Sequence, residues 1–242
     1  MHKNKSRWTL YCFSPPVMIA TVIIELGLLL YVLFKYSLRS TRIRLACLIL
    51  ALLAGFQIAE FNICTNSLMS SENWARFGFV AITFLPALCL HLVFAITKIR
   101  SAIYQFLTWF FYATAFVWAA IFAFSNQVFL NQVCGGNYVI FNLRSPYDLY
   151  YLAYYYFILV LIIAVSWSFI KMANKVQKFA LRMVILGVFS FLIPTTIVNI
   201  LYPETTAAIP SIMCGFAVLW AIILVFGIVK KEPKLNKSKP IR

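Results

Sequence analysis

Long runs of apolar residues, separated by short polar and charged segments, dominate this chain. Seven runs reach the roughly 20 residues that an α-helix needs to cross a lipid bilayer. They do not alternate between apolar and polar positions as the strands of a membrane β-barrel do. The predicted helices cover residues 15–34, 43–61, 77–97, 103–124, 149–170, 179–202 and 207–229. The pattern predicts an all-α membrane protein: a bundle of seven transmembrane helices over 15–229, with an outer segment 1–14 and a tail 230–242.

One uncharged run, from Ser101 to Leu143, is too long for a single helix. Its second half contains residues that favour turns and loops: Asn126, Gln127, Asn131, Gln132, Gly135 and Gly136. We therefore expect the fourth helix to end near Phe124 and a loop to follow it.

The composition excludes a water-soluble domain, because 63% of the 242 residues are apolar or aromatic and only 11% are charged. A soluble protein of this length needs a larger share of charged side chains to cover its surface. Seven helices use nearly all of the chain, so we expect no large domain outside the membrane.

The net charge of +15 is unevenly distributed along the chain. Sixteen of the 21 Lys and Arg residues follow helices one, three, five and seven, and five lie on the other side: Lys3, Lys5, Arg7, Arg76 and Arg144. By the positive-inside rule, the amino terminus is expected outside and the carboxyl terminus, with its basic tail, in the cytoplasm. Anionic lipid headgroups account for the positive charge without a nucleic-acid partner. We expect a multi-pass protein of the cell (inner) membrane with the lipid bilayer as its partner.

Three ionisable side chains fall at membrane depth: Glu25, Glu60 and His91. Such residues are costly in a bilayer and often functional. With a rise of about 1.5 Å per residue, Glu25 and His91 lie at depths similar enough for them to meet. All three are candidate ligand-binding residues. For Glu25 and His91 the alternative is a structural role, in which the side chain is neutral and hydrogen-bonded to a neighbouring group. For Glu60, within about a turn of the outer end of its helix, the alternative is that the side chain reaches the membrane interface.

Prolines predict helix kinks at Pro86, Pro194 and Pro210, because each removes a backbone hydrogen bond. Thr195 and Asn199 stand close to Pro194 and are further candidate ligand-binding residues. Since Pro86 and Pro194 fall in the depth band of Glu25, the kinks suggest a pocket open to the outside. Kinks are also common as purely structural features, and that reading stays open.

Three of the six cysteines, Cys12, Cys64 and Cys134, fall on the predicted outer side, where disulfides persist. A bridge between Cys64 and Cys134 would join two outer loops, although spacing alone does not decide the pairing. The remaining cysteines fall within helices and are expected to pack as small apolar residues: Cys47, Cys89 and Cys214.

The chain lacks the sequence motifs of metal sites, serine hydrolases, nucleotide-binding proteins and retinal proteins. It has no CxxC pair and no cluster of His, Asp and Glu, so we predict no metal. It has no GxSxG elbow, no P-loop and no dinucleotide fingerprint, and its last predicted helix has no lysine for a retinal Schiff base. We therefore predict no catalytic residues, no cofactor and no enzymatic activity. A transporter is not excluded, because uncharged polar groups can line a pore.

Two stretches carry a family resemblance. The first contains Trp74, Arg76, Phe77, Gly78, Leu85, Pro86, Leu90 and His91, and the second contains Gln177, Arg182, Gly187, Pro194, Asn199, Ile200, Leu201 and Tyr202. They resemble the third and sixth helices of the seven-helix input region found at the amino terminus of bacterial sensor histidine kinases.

The resemblance implies a sensor that detects a signal outside or within the membrane. In that family the last helix passes the signal to a cytoplasmic kinase or cyclase, whereas this chain ends 13 residues after Val229. We therefore expect a separate kinase or other cytoplasmic signalling partner, a small or lipidic ligand, and signal transfer by a shift of helices six and seven about Pro194 and Pro210. The alternative is a small membrane transporter or an accessory membrane subunit.

Overall fold

The computed structural model describes residues 15–65, 69–99, 101–134 and 138–237. Seven spans within these residues are long and apolar enough to cross a membrane. The described helices are α1 (Pro15–Lys35), α2 (Thr41–Thr65), α3 (Ser71–Thr83), α4 (Leu85–Thr97), α5 (Ala102–Phe124), α6 (Tyr147–Met172), α7 (Lys175–Leu201), α8 (Ile209–Ile222) and α9 (Glu232–Lys237). The seven spans correspond to the seven predicted helices, with α3 and α4 forming the third. The expected outer segment 1–14 lies outside the described residues.

The third span occupies the centre of the bundle. In its most apolar window 78% of the residues are buried, against 22% in the first and fourth spans. Its second half, α4, packs against α2, α5, α6 and α7. A helix that is apolar all round is suited to such a central position.

The third span breaks at Phe84, two residues before Pro86. At the break the Thr83 carbonyl accepts a hydrogen bond from the Tyr154 hydroxyl at 2.9 Å. The Thr83 hydroxyl donates to the Phe79 carbonyl at 2.6 Å and lies 3.1 Å from the Tyr151 hydroxyl. Tyrosines of α6 thus satisfy the polar groups that the broken helix leaves without helical partners.

The other two predicted kinks differ from each other. Pro194 lies inside α7, which stays one continuous helix. Pro210 is the second residue of α8, so the prediction of a kink there is wrong. In the first turn of a helix a proline removes no intrahelical hydrogen bond, because the first N–H groups have no helical partner. Pro210 therefore starts α8, directly after a 3₁₀ segment, Pro203–Ala208.

An antiparallel hairpin follows α5, where the sequence predicted a loop. It consists of β1 (Phe129–Cys134) and β2 (Val139–Leu143). Phe129, Val139 and Phe141 are buried against the bundle. The prediction of a loop here is wrong. Asn, Gln and Gly residues favour turns, but apolar residues on both sides of the two glycines also favour a pair of strands. We call this end of the bundle the hairpin end and the opposite end the basic end.

A disulfide joins Cys64, at the end of α2, to Cys134, at the end of β1. It connects the hairpin to the bundle across 70 residues of sequence. Cys47, Cys89 and Cys214 are buried free thiols, and Cys12 lies outside the described residues.

We predict that replacing both Cys64 and Cys134 by serine lowers the free energy of unfolding by about 2–4 kcal/mol. The disulfide restricts the unfolded chain, so the bridged chain loses less conformational entropy when it folds. Thermal unfolding in detergent, with and without a reductant, measures this loss. A reductant should lower the melting temperature of the wild type to that of the double variant and leave the double variant unchanged. Equal melting temperatures for the oxidised wild type and the double variant would contradict the prediction.

The last span continues past α8 through a π-helical turn, Ile223–Ile228, into the short helix α9. The predicted basic tail therefore begins as a folded segment over its described residues. Glu232 forms an ion pair with Arg42 of α2, with Arg42 Nε 2.6 Å from Glu232 Oε2. Lys98 Nζ donates to the Asn236 carbonyl at 2.8 Å. Leu235 is fully buried, so α9 is held against the basic end by ionic, polar and apolar contacts.

Candidate functional site

A cavity of about 350 Å³ opens at the hairpin end. Its walls come from α3, α6, α8, β2 and the 3₁₀ segment, and include Phe79, Phe141, Tyr151, Tyr155, Pro210 and Met213. We call it the hairpin-end cavity. The wall residues therefore come from three separate parts of the chain, 79–82, 141–156 and 206–214.

The walls of the hairpin-end cavity are held by packed aromatic rings. The Phe79 ring centroid lies 5.1 Å from that of Phe141 and 5.7 Å from that of Tyr151. Both distances fall in the range of favourable edge-to-face and tilted pairs. Because Tyr151 also contacts the Thr83 hydroxyl, the break in the third span and the cavity wall are parts of one packed unit.

The hairpin-end cavity has a mainly apolar interior and a few polar groups. Asn142, Asp148 and Thr206 line it, and Asp148 and Leu149 are exposed, which marks where it opens. An apolar chamber with a few polar groups is typical of binding sites for small molecules. This arrangement suits a small, largely apolar compound that carries a polar group.

Glu25 of α1 and Glu60 of α2 are both buried, at 0% and 1% exposure. Their carboxyl groups are close enough to interact electrostatically. Neither Glu25 oxygen has a hydrogen-bond partner among the described residues. The Ser211 hydroxyl lies within hydrogen-bonding reach of Glu60 and accepts from the Val139 N–H at 3.1 Å. In this acid pair, Glu60 of α2 is joined through Ser211 to α8 and β2, whereas Glu25 of α1 makes no hydrogen bond to the described residues.

Neither member of the acid pair is among the described residues that line the hairpin-end cavity, but Ser211, which Glu60 contacts, directly follows the wall residue Pro210. Cys214, which lines the cavity, is within electrostatic range of both Glu25 and Glu60. Since a buried carboxyl group without a hydrogen-bond partner is costly, the position of Glu25 is typical of functional sites. The cavity and the acid pair together form our candidate site.

The structure does not bring His91 to Glu25, which corrects the expectation that the two meet. His91 Nδ1 lies 3.1 Å from the Tyr112 hydroxyl of α5. It lines a second cavity, at the basic end. Similar depth along two helices does not bring two side chains together, because the contact also depends on which faces of the helices point towards each other.

Thr195 and Asn199 form a local network at the hairpin end of α7. The Thr195 hydroxyl donates to the Phe191 carbonyl at 2.7 Å, and Asn199 Nδ2 donates to the Thr195 carbonyl at 3.1 Å. Asn199 Oδ1 accepts from the Thr205 hydroxyl at 2.8 Å. Neither Thr195 nor Asn199 is among the described residues that line the hairpin-end cavity. Their contacts indicate that they hold the 3₁₀ segment in position beside it.

The second cavity, the basic-end cleft, has a volume of about 750 Å³. Arg39, Arg42 and Lys98 line it, together with polar and aromatic residues of α4 and α5. Among the residues that the structure describes, no group of three or more His, Cys, Asp and Glu side chains is arranged to hold a metal ion.

Sequence reasoning missed two features that shape these cavities. The first is the hairpin, for which the apolar residues on both sides of Gly135 and Gly136 were the available signal. The second is Glu232, a single acidic residue in a basic segment. Its isolation among lysines was a signal for a specific partner, but no local pattern identified Arg42 as that partner.

No protein-family model matches this chain, and comparison with curated proteins finds no match either.

Proposed function

We propose that this protein is a membrane receptor that binds a small, largely apolar ligand in the hairpin-end cavity and transmits the event through α8 to the tail helix α9. The observation that supports this most directly is that one continuous span joins the cavity to the tail helix. Met213 and Cys214 of α8 line the cavity, and the same span ends in the Arg42–Glu232 ion pair at the opposite end.

In this proposal the hairpin end faces the outside and the basic end faces the cytoplasm, as the distribution of lysine and arginine predicts, and the resemblance to bacterial sensor kinases favours a bacterial cell membrane. A shift of α8 against α7 alters the docking of α9. A separate cytoplasmic partner, such as a kinase, reads the change. The resemblance to the input region of sensor histidine kinases favours this role, and a small displacement of packed helices is a common means of transmission.

The ligand site is tested by filling the cavity. We predict that Ala207→Trp, on the cavity wall, abolishes binding of small aromatic probes such as indole and p-cresol. Ala113→Trp, at an exposed position of α5, should leave binding unchanged. At a concentration of about 100 times Kd, a bound probe stabilises the folded state by about 2.7 kcal/mol, which thermal unfolding in detergent detects.

Equal probe-induced shifts in wild type and both tryptophan variants would reject the hairpin-end cavity as the ligand site. Transmission is measured separately, by labelling of a cysteine placed at Lys234, an exposed position of α9. A probe that binds without changing the labelling rate would leave the cavity as a binding site and reject transmission.

A small transporter is the second candidate, because cavities occur at both ends of the bundle. Transporters also use broken helices near the middle of the membrane, and the break at Phe84 is of this kind. Flux of a cavity-binding probe into liposomes, abolished by Ala207→Trp, would favour transport over sensing.

A further inference from the structure

The basic-end cleft lies between α2, α4, α5 and α9 and carries an excess of positive charge. Arg39, Arg42 and Lys98 line it, whereas no carboxylate is found among its described lining residues. The nearby Glu232 is already engaged: Oε1 accepts from the Ser40 hydroxyl at 2.6 Å and from Arg42 Nη2 at 2.8 Å. One engaged carboxylate thus faces three cationic side chains.

Lys98 holds an unusual backbone conformation. Its φ of 56° and ψ of 28° are left-handed, and among the described residues it is the one non-glycine residue with a positive φ. Glycine is the usual residue at this position after a helix, because a Cβ is unfavourable there. The side chain supplies a contact that glycine could not make: Lys98 Nζ donates to the Asn236 carbonyl at 2.8 Å, which holds the ammonium group at the wall of the cleft.

The electrostatic environment of Lys98 favours an anion. Burial and then the positive charge of Arg42 lower the pKa of Lys98, and Glu232 only partly opposes this. A lowered pKa means that the charged ammonium group is disfavoured by its surroundings. An anion bound beside Lys98 and Arg42 would stabilise both charges.

The cleft also provides neutral hydrogen-bond donors and an apolar border. Tyr104, Gln105 and Tyr112 of α5 line it, and hydroxyl and amide groups bind phosphate oxygens well. On the same helix Phe106 is 67% exposed, and Trp109, which lines the cleft, is 75% exposed. The cationic pocket therefore borders a surface suited to acyl chains.

We propose that the basic-end cleft binds a phosphate group, carried by an anionic phospholipid headgroup or by a soluble phosphate, with Lys98 and Arg39 as its cationic ligands. The cleft lies at the opposite end of the bundle from the hairpin-end cavity and does not depend on the function proposed for that cavity. A phospholipid would enter past Trp109, and a soluble phosphate would enter from the aqueous side.

The test compares Lys98→Gly with Lys171→Ala. Lys171 is an exposed lysine of α6 at the same end of the bundle, outside the cleft. The protein in phosphatidylcholine micelles is titrated with phosphatidylglycerol and, separately, with inorganic phosphate, and its melting temperature is followed. We expect Lys98→Gly to weaken binding about tenfold, the effect of losing one hydrogen bond to a charged group. Lys171→Ala should bind like the wild type.

Without added phosphate, Lys98→Gly should melt close to the wild type, because glycine relieves the left-handed backbone while the hydrogen bond from Lys98 to the Asn236 carbonyl is lost. Lys98→Arg should retain binding, and Arg39→Ala, at an exposed position, should weaken it without affecting folding. These two variants decide the question if the glycine variant does not fold.

A rise in melting temperature that is lost in Lys98→Gly supports the site, whichever of the two compounds causes it. A response to phosphatidylglycerol alone identifies a lipid headgroup as the source, and a response to inorganic phosphate identifies a soluble one. Two results would overturn the proposal. An equal loss of affinity in Lys98→Gly and Lys171→Ala would show that the positive charge of the whole end attracts the phosphate, and an unchanged melting temperature with either compound would show that no phosphate binds.

Discussion

Replacing Gly187 by alanine is expected to destabilise the bundle strongly, by about 1–3 kcal/mol or more. Gly187 lies in α7, and a Cβ added there would overlap the ring atoms Cε3 and Cζ3 of Trp220 in α8. Trp220 is only 5% exposed, and its rigid ring has no flexible end that could move aside. The two helices must separate, or the ring must leave its position.

Thermal or chemical unfolding in detergent measures this effect against Gly27→Ala. An added Cβ at Gly27 meets nothing within 4 Å, so alanine there should be neutral or stabilising by about 0.5–1 kcal/mol, because it favours the helix. Trp220→Leu should restore part of the stability lost in Gly187→Ala. A double-mutant cycle without coupling between the two positions would show that the close packing of α7 on α8 is not the cause.

Gly187→Ala also bears on the proposed transmission. Among the described glycines, Gly187 is the one at which an added Cβ would come nearest to a neighbouring side chain, that of Trp220 in α8. If α8 transmits ligand binding by moving against α7, this contact restrains the movement. A stable Gly187→Ala/Trp220→Leu variant should therefore bind cavity probes and show an altered labelling rate at Lys234→Cys.

Glu232→Gln is expected to release the tail helix from the basic end. Arg42 Nε and Nη2 donate to the two Glu232 oxygens at 2.6 and 2.8 Å, and Nη1 donates to the Ala95 carbonyl at 2.9 Å. The two side chains are only 10% and 11% exposed. Removing one partner of a buried ion pair leaves the other charge uncompensated, at a cost of about 3–5 kcal/mol.

Because α9 has only six residues and lies at the basic end, undocking lets water reach Arg42 and limits the damage to this region. We therefore expect faster hydrogen exchange and faster tryptic cleavage at residues 230–237, with little change in α2. Lys234→Gln, on the exposed side of the same helix, is the matched control and should leave the exchange rate unchanged. Because this substitution removes one tryptic site, cleavage is compared only after Lys230 and Lys231.

The exchanged pair, Arg42→Glu with Glu232→Arg, should recover part of the docking, because the ionic interaction is restored while the contact of Arg42 with Ala95 is lost. If Lys234→Gln releases α9 as much as Glu232→Gln does, general charge and not the specific ion pair holds the tail.

Much of the fold followed from local properties of the chain. Bilayer thickness sets the length of a helix, so an apolar run reveals a span without knowledge of its neighbours. The predicted start of the first helix, Pro15, and the predicted end of the fourth, Phe124, agree with the structure. The break near Pro86 was also accessible, because a proline lacks an N–H wherever it stands.

The candidate site was much less accessible. Glu25 and His91 were identified as unusual from their position within apolar runs, but the structure places Glu25 beside Glu60 and places His91 beside Tyr112. The aromatic walls of the cavity could not be recognised in a chain rich in Phe and Tyr. A side chain becomes part of a cavity only through the elements that surround it.

The sequence by itself determined the number of spans, their approximate ends and the basic character of one end, because length, hydropathy and charge are properties of each segment alone. Only the tertiary structure decided that Cys64 reaches Cys134, that Arg42 reaches Glu232, and that α3, α6, α8 and the hairpin enclose a cavity. These contacts join residues 70 to 190 positions apart. They depend on how the helices rotate and pack against one another, and no single segment carries that information.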